Sequence, residues 1–161
     1  MKNNHTNLIS LLAMAIMAST PAAATTNNVK NALLMALDDE YKAYATYYVM
    51  IEKFGEARPF SNIIQAEQNH IDALVTLLNK YQIQVPQNKY LSNPNKPIAP
   101  ASLKLACQAG VDAEIANASL YDKKLLPMVG HNEDIKFVFQ NLRDASKYRH
   151  LMAFQRCASR Y

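Results

Sequence analysis

Glycine is scarce, tryptophan is missing and no stretch is rich in one sign of charge. Only three glycines stand among 161 residues. That argues against a turn-rich β-sandwich and against folds built on glycine-rich phosphate loops. No GxGxxG, Walker, GxSxG or CxxC motif is present. Lys and Arg total 17 against 13 Asp and Glu, a net charge of +4. The cations are scattered, without the basic block that tracks a phosphate backbone, so nucleic acid is excluded as a partner. Half of the residues are hydrophobic and 19% are charged, a balance that suits a packed core rather than a disordered chain. The length fits one domain.

The N-terminus reads as a targeting segment. Met1 to Asn7 carries one cation, Lys2, and no acid; Leu8 to Ala18 is apolar; Ala22-Ala23-Ala24 is a run of small residues. These are the three parts of a secretory signal peptide. The run is short of the roughly 20 apolar residues that span a bilayer, which disfavours an uncleaved anchor. The expected division is a signal over 1–24 and a helical domain over 25–161. Cleavage removes only Lys2 from the charge and leaves no second apolar segment, so no membrane span is expected afterwards. The expected location is secreted or periplasmic, an oxidising setting in which Cys107 and Cys157 can pair.

Four apolar stripes with helical spacing follow. Leu33, Leu37, Tyr44, Tyr47, Met50 and Phe54 form the first, with a start expected at Thr26-Asn27-Asn28 and a stop at Gly55. Ile63, Ile64, Ile71, Leu74, Leu78 and Tyr81 form the second. Gln82 to Ala99, with three prolines, is a long connector. Cys107, Val111, Ala118, Tyr121 and Leu125 form the third, closed by Pro127 and Gly130; Ile135, Phe139, Leu142, Phe154 and Cys157 form the fourth, with Asn132 placed to cap it. Two short links and a long one predict hairpin, crossover, hairpin in a four-helix bundle. An up-down bundle with one overgrown loop is the alternative.

Three acids fall inside these apolar stripes: Glu40, Glu67 and Glu114. The other ten, Asp38 and Asp39 among them, read as solvated faces or helix starts. His70, one turn after Glu67, and His150 join the buried set. An ionised carboxylate in a core costs on the order of several kcal/mol unless it is paired or binds a metal. Residues at one level of a hairpin share a constant index sum. By that measure Glu40 faces Glu67 and His70 about the Phe54-Gly55 turn. Glu114 faces His150 about the Gly130–Asn132 turn. Carboxylates and imidazoles converging in a bundle core describe a non-haem metal site, with iron or manganese the best match. Cys107 and Cys157 share the index sum of Glu114 and His150 and lie two turns from them, which predicts a disulfide across the second hairpin; two buried thiols are the alternative.

Glu40, Glu67-x-x-His70, Glu114 and His150 resemble the carboxylate-bridged di-metal pattern of the ferritin-like superfamily. ALDDEYKAYATY, RPFSNIIQAEQNHIDAL and RHLMAFQRC are more similar still to a bacterial and archaeal branch catalogued as DUF2202. The likeness runs from about Leu33 to Cys157. It implies a ferritin-like four-helix bundle with a di-metal centre and no particular reaction; the leading expectation from the site is an oxidoreductase holding one or two ions of non-haem iron or manganese, with oxygen or peroxide as reactants. Neither implies a particular substrate. The chain departs from the pattern at Lys147, a cation where a second Glu-x-x-His would place an acid. That departure predicts an asymmetric centre dominated by the first hairpin. Tyr44 and Tyr47 share the face of Glu40, either as hydrogen-bond donors or redox-active phenols beside the ligands or as plain core. The competing reading is a non-catalytic bundle, binding metal structurally or holding a metal-free ionic network that Lys147 neutralises. A homodimer is left open.

Overall fold

The computed structural model describes residues 21–161, with side chains from Thr26 onward. Residues 1–20, most of the expected signal peptide, lie outside the described residues. Among the described residues all the regular structure is helical, without strands. Helix α1 runs Pro21–Phe54 and α2 Phe60–Lys80. A third rod consists of α3 (Leu103–Leu120), a π turn (Tyr121–Leu125) and α4 (Leu126–Val129). A fourth consists of α5 (Glu133–Ala145), a π turn (Ser146–His150) and α6 (Leu151–Arg160). Helix α1 starts before the expected Thr26-Asn27-Asn28 cap, because Pro21 suits a first turn and Ala22 to Ala24 are strong helix formers. Gly55 at φ 71° and Gly130 at φ 53° close the two hairpins in a conformation that side chains disfavour. Asn132 does not cap α5; its amide donates to Val129 O at 2.6 Å. Ser102 caps α3, accepting from Leu105 N.

Two apolar clusters fix the topology. One joins Leu33 and Leu37 to Leu74 and Leu78, Tyr121 and Leu125, and Ile135 and Phe139. The other joins Tyr47 and Met50 to Phe60 and Ile63, Cys107 and Val111, and Phe154. The start of α1 therefore sits with the end of α2, the end of the third rod and the start of the fourth. So α2 and the third rod run the same way, and residues 81–102 must carry the chain back along the bundle. They do so against α1. Tyr90 donates to Asp38 at 2.8 Å, Tyr41 to Pro86 O at 3.1 Å, and Lys53 to Pro100 O at 2.6 Å. The arrangement is a four-helix bundle of two antiparallel hairpins and a full-length crossover.

Cys107 and Cys157 form a disulfide between α3 and α6, with Cα atoms 5.6 Å apart. The close approach of those helices depends on Gly110, where a Cβ would fall against the Phe154 ring. Gly110→Ala should destabilise by roughly 1–3 kcal/mol through overpacking. Thermal unfolding would show this as a lower Tm, partly restored by adding Phe154→Leu. An unchanged Tm for Gly110→Ala would contradict the packing.

Candidate metal centre

Each of the four rods sends a polar side chain into the layer between the two apolar clusters. Glu40 comes from the middle of α1, and Glu67 and His70 stand one turn apart on α2. Glu114 comes from α3, and His150 ends the π turn of the fourth rod. The three carboxylates are at most 3% exposed and His150 is 6% exposed. Their helices bury them because the apolar residues one turn to either side are core.

The Glu67 carboxylate is shared. Its Oε2 lies 3.0 Å from His70 Nδ1, which is also 3.2 Å from Glu40 Oε2. Its Oε1 lies 3.3 Å from His150 Nδ1, which is 3.6 Å from Glu114 Oε2. Two triads result, Glu40–Glu67–His70 and Glu67–Glu114–His150, each with donor atoms within 4.8 Å of one another. Each offers two carboxylates and one imidazole. The imidazole rings lie nearly parallel, with centroids 5.6 Å apart. His70 Nδ1 has hydrogen-bond geometry to its two carboxylates. His150 Nδ1 is buried and aimed at Glu67 and Glu114, yet has no hydrogen-bond partner.

The outer carboxylates are held by buried tyrosines in a reciprocal exchange. Tyr121, two turns after Glu114, donates to Glu40 Oε1 at 2.8 Å. Tyr47, two turns after Glu40, donates to Glu114 Oε1. Asn117 donates to Asp39 Oδ2 at 2.7 Å and reaches Glu40 Oε1 at 3.4 Å, while its own oxygen accepts from Ser146 Oγ. Every carboxylate of the cluster is thus fixed from at least two sides, as preorganised ligands require.

Burial dominates the electrostatics. It pushes the carboxyl of Glu40 up to about 6, with His70 opposing and Glu67 reinforcing. Burial likewise raises Asp39 to about 6, with Glu40 adding to it. For Glu67 burial acts upward, but the two histidines prevail and hold its carboxyl below the usual range. Burial alone would keep the histidines neutral. Glu40 and Glu67 instead lift His70 to about 10, and Glu114 and Glu67 lift His150 to about 9. Burial raises the Tyr47 and Tyr121 hydroxyls well above their ordinary value.

The structure brings Glu40, Glu67, His70, Glu114 and His150 together, with Tyr47 on Glu114. Tyr44 is half-buried between the two apolar clusters. Lys147 is not at the cluster. Its side chain is 45% exposed and its Nζ lies 3.8 Å from Asp122. The π turn places Ser146 and His150 inward and Lys147, Tyr148 and Arg149 outward, so the residue inside is a hydroxyl rather than a cation. With Lys147 outside and Glu67 shared, each triad has two carboxylates and one imidazole, while three of the five donors still come from the first hairpin. Asp39 is not a solvated acid but half-buried beside Asn117. Sequence reasoning missed Asp39, Asn117, Ser146 and the role of the Tyr121 hydroxyl. The available signal was the matched pair of tyrosines, each two turns after a buried glutamate.

A family model described as an uncharacterized protein domain (DUF2202) matches residues 29–160. Among curated proteins, "Uncharacterized protein MJ0754" of Methanocaldococcus jannaschii is 29% identical over 154 residues, which cover 89% of this chain and 82% of that one. No solved structure matches.

The raised histidines give the metal-free protein a pH dependence of defined sign. A histidine held above its unfolded value of about 6.5 adds stability that is complete below that value. The gain is lost as pH climbs through about 9 for His150 and about 10 for His70. The Tm of chelator-treated protein should therefore fall between pH 7.5 and 10.5. A flatter profile is expected for His70→Gln combined with His150→Gln. An equal slope in both proteins would contradict the charged state of the pair.

Proposed function

The chain belongs to the DUF2202 family, and for it we propose an exported, ferritin-like protein that binds a pair of redox-active divalent ions, iron or manganese, for oxygen or peroxide chemistry. The observation that carries this reading is the Glu67 carboxylate shared by two triads, in one of which a buried imidazole nitrogen faces it at 3.3 Å without hydrogen-bond geometry. The donor set fits the group. Carboxylate oxygens with imidazole nitrogens suit iron and manganese, and both cysteines are tied up in the disulfide, so no thiolate competes. Export rests on the tripartite N-terminal segment. Among the described residues no helix is long and apolar enough to cross a membrane.

When bound, such ions supply one-electron redox chemistry toward oxygen or peroxide. The protein's own contribution is positional. Glu67 would be shared by the two triads, Glu40 and Glu114 would each add a carboxylate to one of them, and His70 and His150 would offer nitrogen. Tyr121 and Tyr47 fix the outer carboxylates and hold their own protons, since their hydroxyls are raised. Phe60 and Phe154, packed against Tyr47, keep water from one flank. Binding must expel the protons that the carboxylates keep on both histidines, so uptake releases acid.

A second reading has one observation in its favour. His70 is hydrogen-bonded to Glu40 and Glu67 at 3.2 and 3.0 Å, as in a self-sufficient ionic network. Titration separates the two. Chelator-treated protein should take up two Mn(II) or, without oxygen, two Fe(II) per chain with proton release. Glu40→Ala and Glu114→Ala should each retain one ion and Glu67→Ala none tightly, while the surface change Lys147→Glu leaves the count at two. Tyr121→Phe should weaken binding by about tenfold or more. No tight uptake by the wild type would leave the ionic network. Oxygen consumption by the Fe(II)-loaded protein tests the redox half.

A further inference from the structure

The cluster is reached from two opposite faces of the bundle, and the two approaches carry different charge. Between α1 and α3 a cavity of about 100 Å³ runs from Asp39 and Lys42 inward to Glu67 and Glu114, with Asn117 in its wall. Across the bundle, a groove of about 420 Å³ ends on His70 and His150 and is edged by Arg149, Asn62 and Asn69. Acids line the first approach; the charged lining of the second is basic.

We propose that the cavity between α1 and α3 is the route by which a divalent cation enters, with the Asp39 carboxylate as its first ligand at the mouth. The inference rests on the metal-binding reading and adds to it the direction of entry and a residue outside both triads. Four observations support it. Asp39 is held in place by Asn117, whose amide donates to Oδ2 at 2.7 Å and is itself anchored by Ser146. Inward of Asp39 the charged residues that line the cavity are Glu67 and Glu114, so carboxylate oxygens stand from its mouth to its floor. His150 Nδ1, buried and without a hydrogen-bond partner, is aimed at the two carboxylates on the cavity floor. The space admits only a few waters, so a hydrated ion must shed part of its shell on entry. An oxygen ligand at the mouth replaces what is lost. Arg149 on the opposite face opposes a cation there. Lys42 is the exception at the acidic mouth, an exposed ammonium that works against entry.

These charges give opposite signs to two substitutions. Mn(II) is mixed rapidly with full-length, chelator-treated protein and followed by tyrosine fluorescence. Tyr47 and Tyr121 touch outer ligands and the chain has no tryptophan. Asp39→Asn should slow uptake about tenfold while the end point stays at two ions. Lys42→Gln, on the surface, should speed it, and Arg149→Gln should leave it unchanged. The wild-type rate should fall with salt and that of Asp39→Asn should fall less. If two ions still bind and Asp39→Asn matches the wild-type rate, or Arg149→Gln alters the rate more than Lys42→Gln does, the route is wrong. If the wild type takes up no metal, the metal-binding reading fails first and the route falls with it.

Discussion

One buried carboxylate constrains everything around it. Glu67 is 2% exposed, and both its oxygens point at imidazole nitrogens from different rods. A charge so placed costs several kcal/mol, roughly, unless it is compensated locally. The compensation comes from His70 on its own helix and His150 on the fourth rod. Each histidine needs a second acid in turn, Glu40 for one and Glu114 for the other. The bundle must therefore bring four helices to one level and hold them there. The apolar clusters above and below that layer supply the burial, and the Cys107–Cys157 disulfide ties α3 to α6 beside it.

The two hairpins contribute nearly equivalent halves. Glu40 with Tyr47 on α1 answers Glu114 with Tyr121 on the third rod, and each tyrosine serves the other's glutamate. The equivalence breaks on α2 and the fourth rod. Glu67 has no acidic counterpart opposite; Ser146 stands inward there, bonded to Asn117. The π turn running Ser146–His150 accompanies that break. Such turns are energetically poor within a helix and are common where a side chain must be re-aimed at a functional site. The outcome is a single bridging carboxylate with a hydroxyl–amide network beside it, which leads through Asn117 to Asp39 and the cavity between α1 and α3.

Much of this was legible in the chain, because helical period and hairpin symmetry are local properties. Glu40, Glu67 and Glu114 stood out as acids within apolar stripes, and the level of Cys107 with Cys157 followed from the same index sum. The long connector told of a return along the bundle. What was illegible depends on how one hairpin docks on the other. Index sums relate residues only within a hairpin, so the sharing of Glu67 by His150 could not be seen. Asp39 lies about 100° around α1 from Glu40, at the edge of its buried face. Only the approach of α3, carrying Asn117, takes it out of solvent. Lys147 was misjudged by spacing alone, since three residues before His150 is an inward position in some helices and an outward one in this π turn. The apolar stripe makes Tyr121 a core residue, and its ring is core against Phe139; only the hydroxyl belongs to the site.

The central claim of the proposal is that Glu67 would be shared by two cations, one in each triad. Anomalous diffraction from crystals of the protein grown with Mn(II), collected near the manganese edge, addresses it directly. The account predicts two peaks of comparable height, one between Glu40, Glu67 and His70 and the other between Glu67, Glu114 and His150. A single peak confined to the first hairpin, or no peak within reach of Glu67, would contradict it.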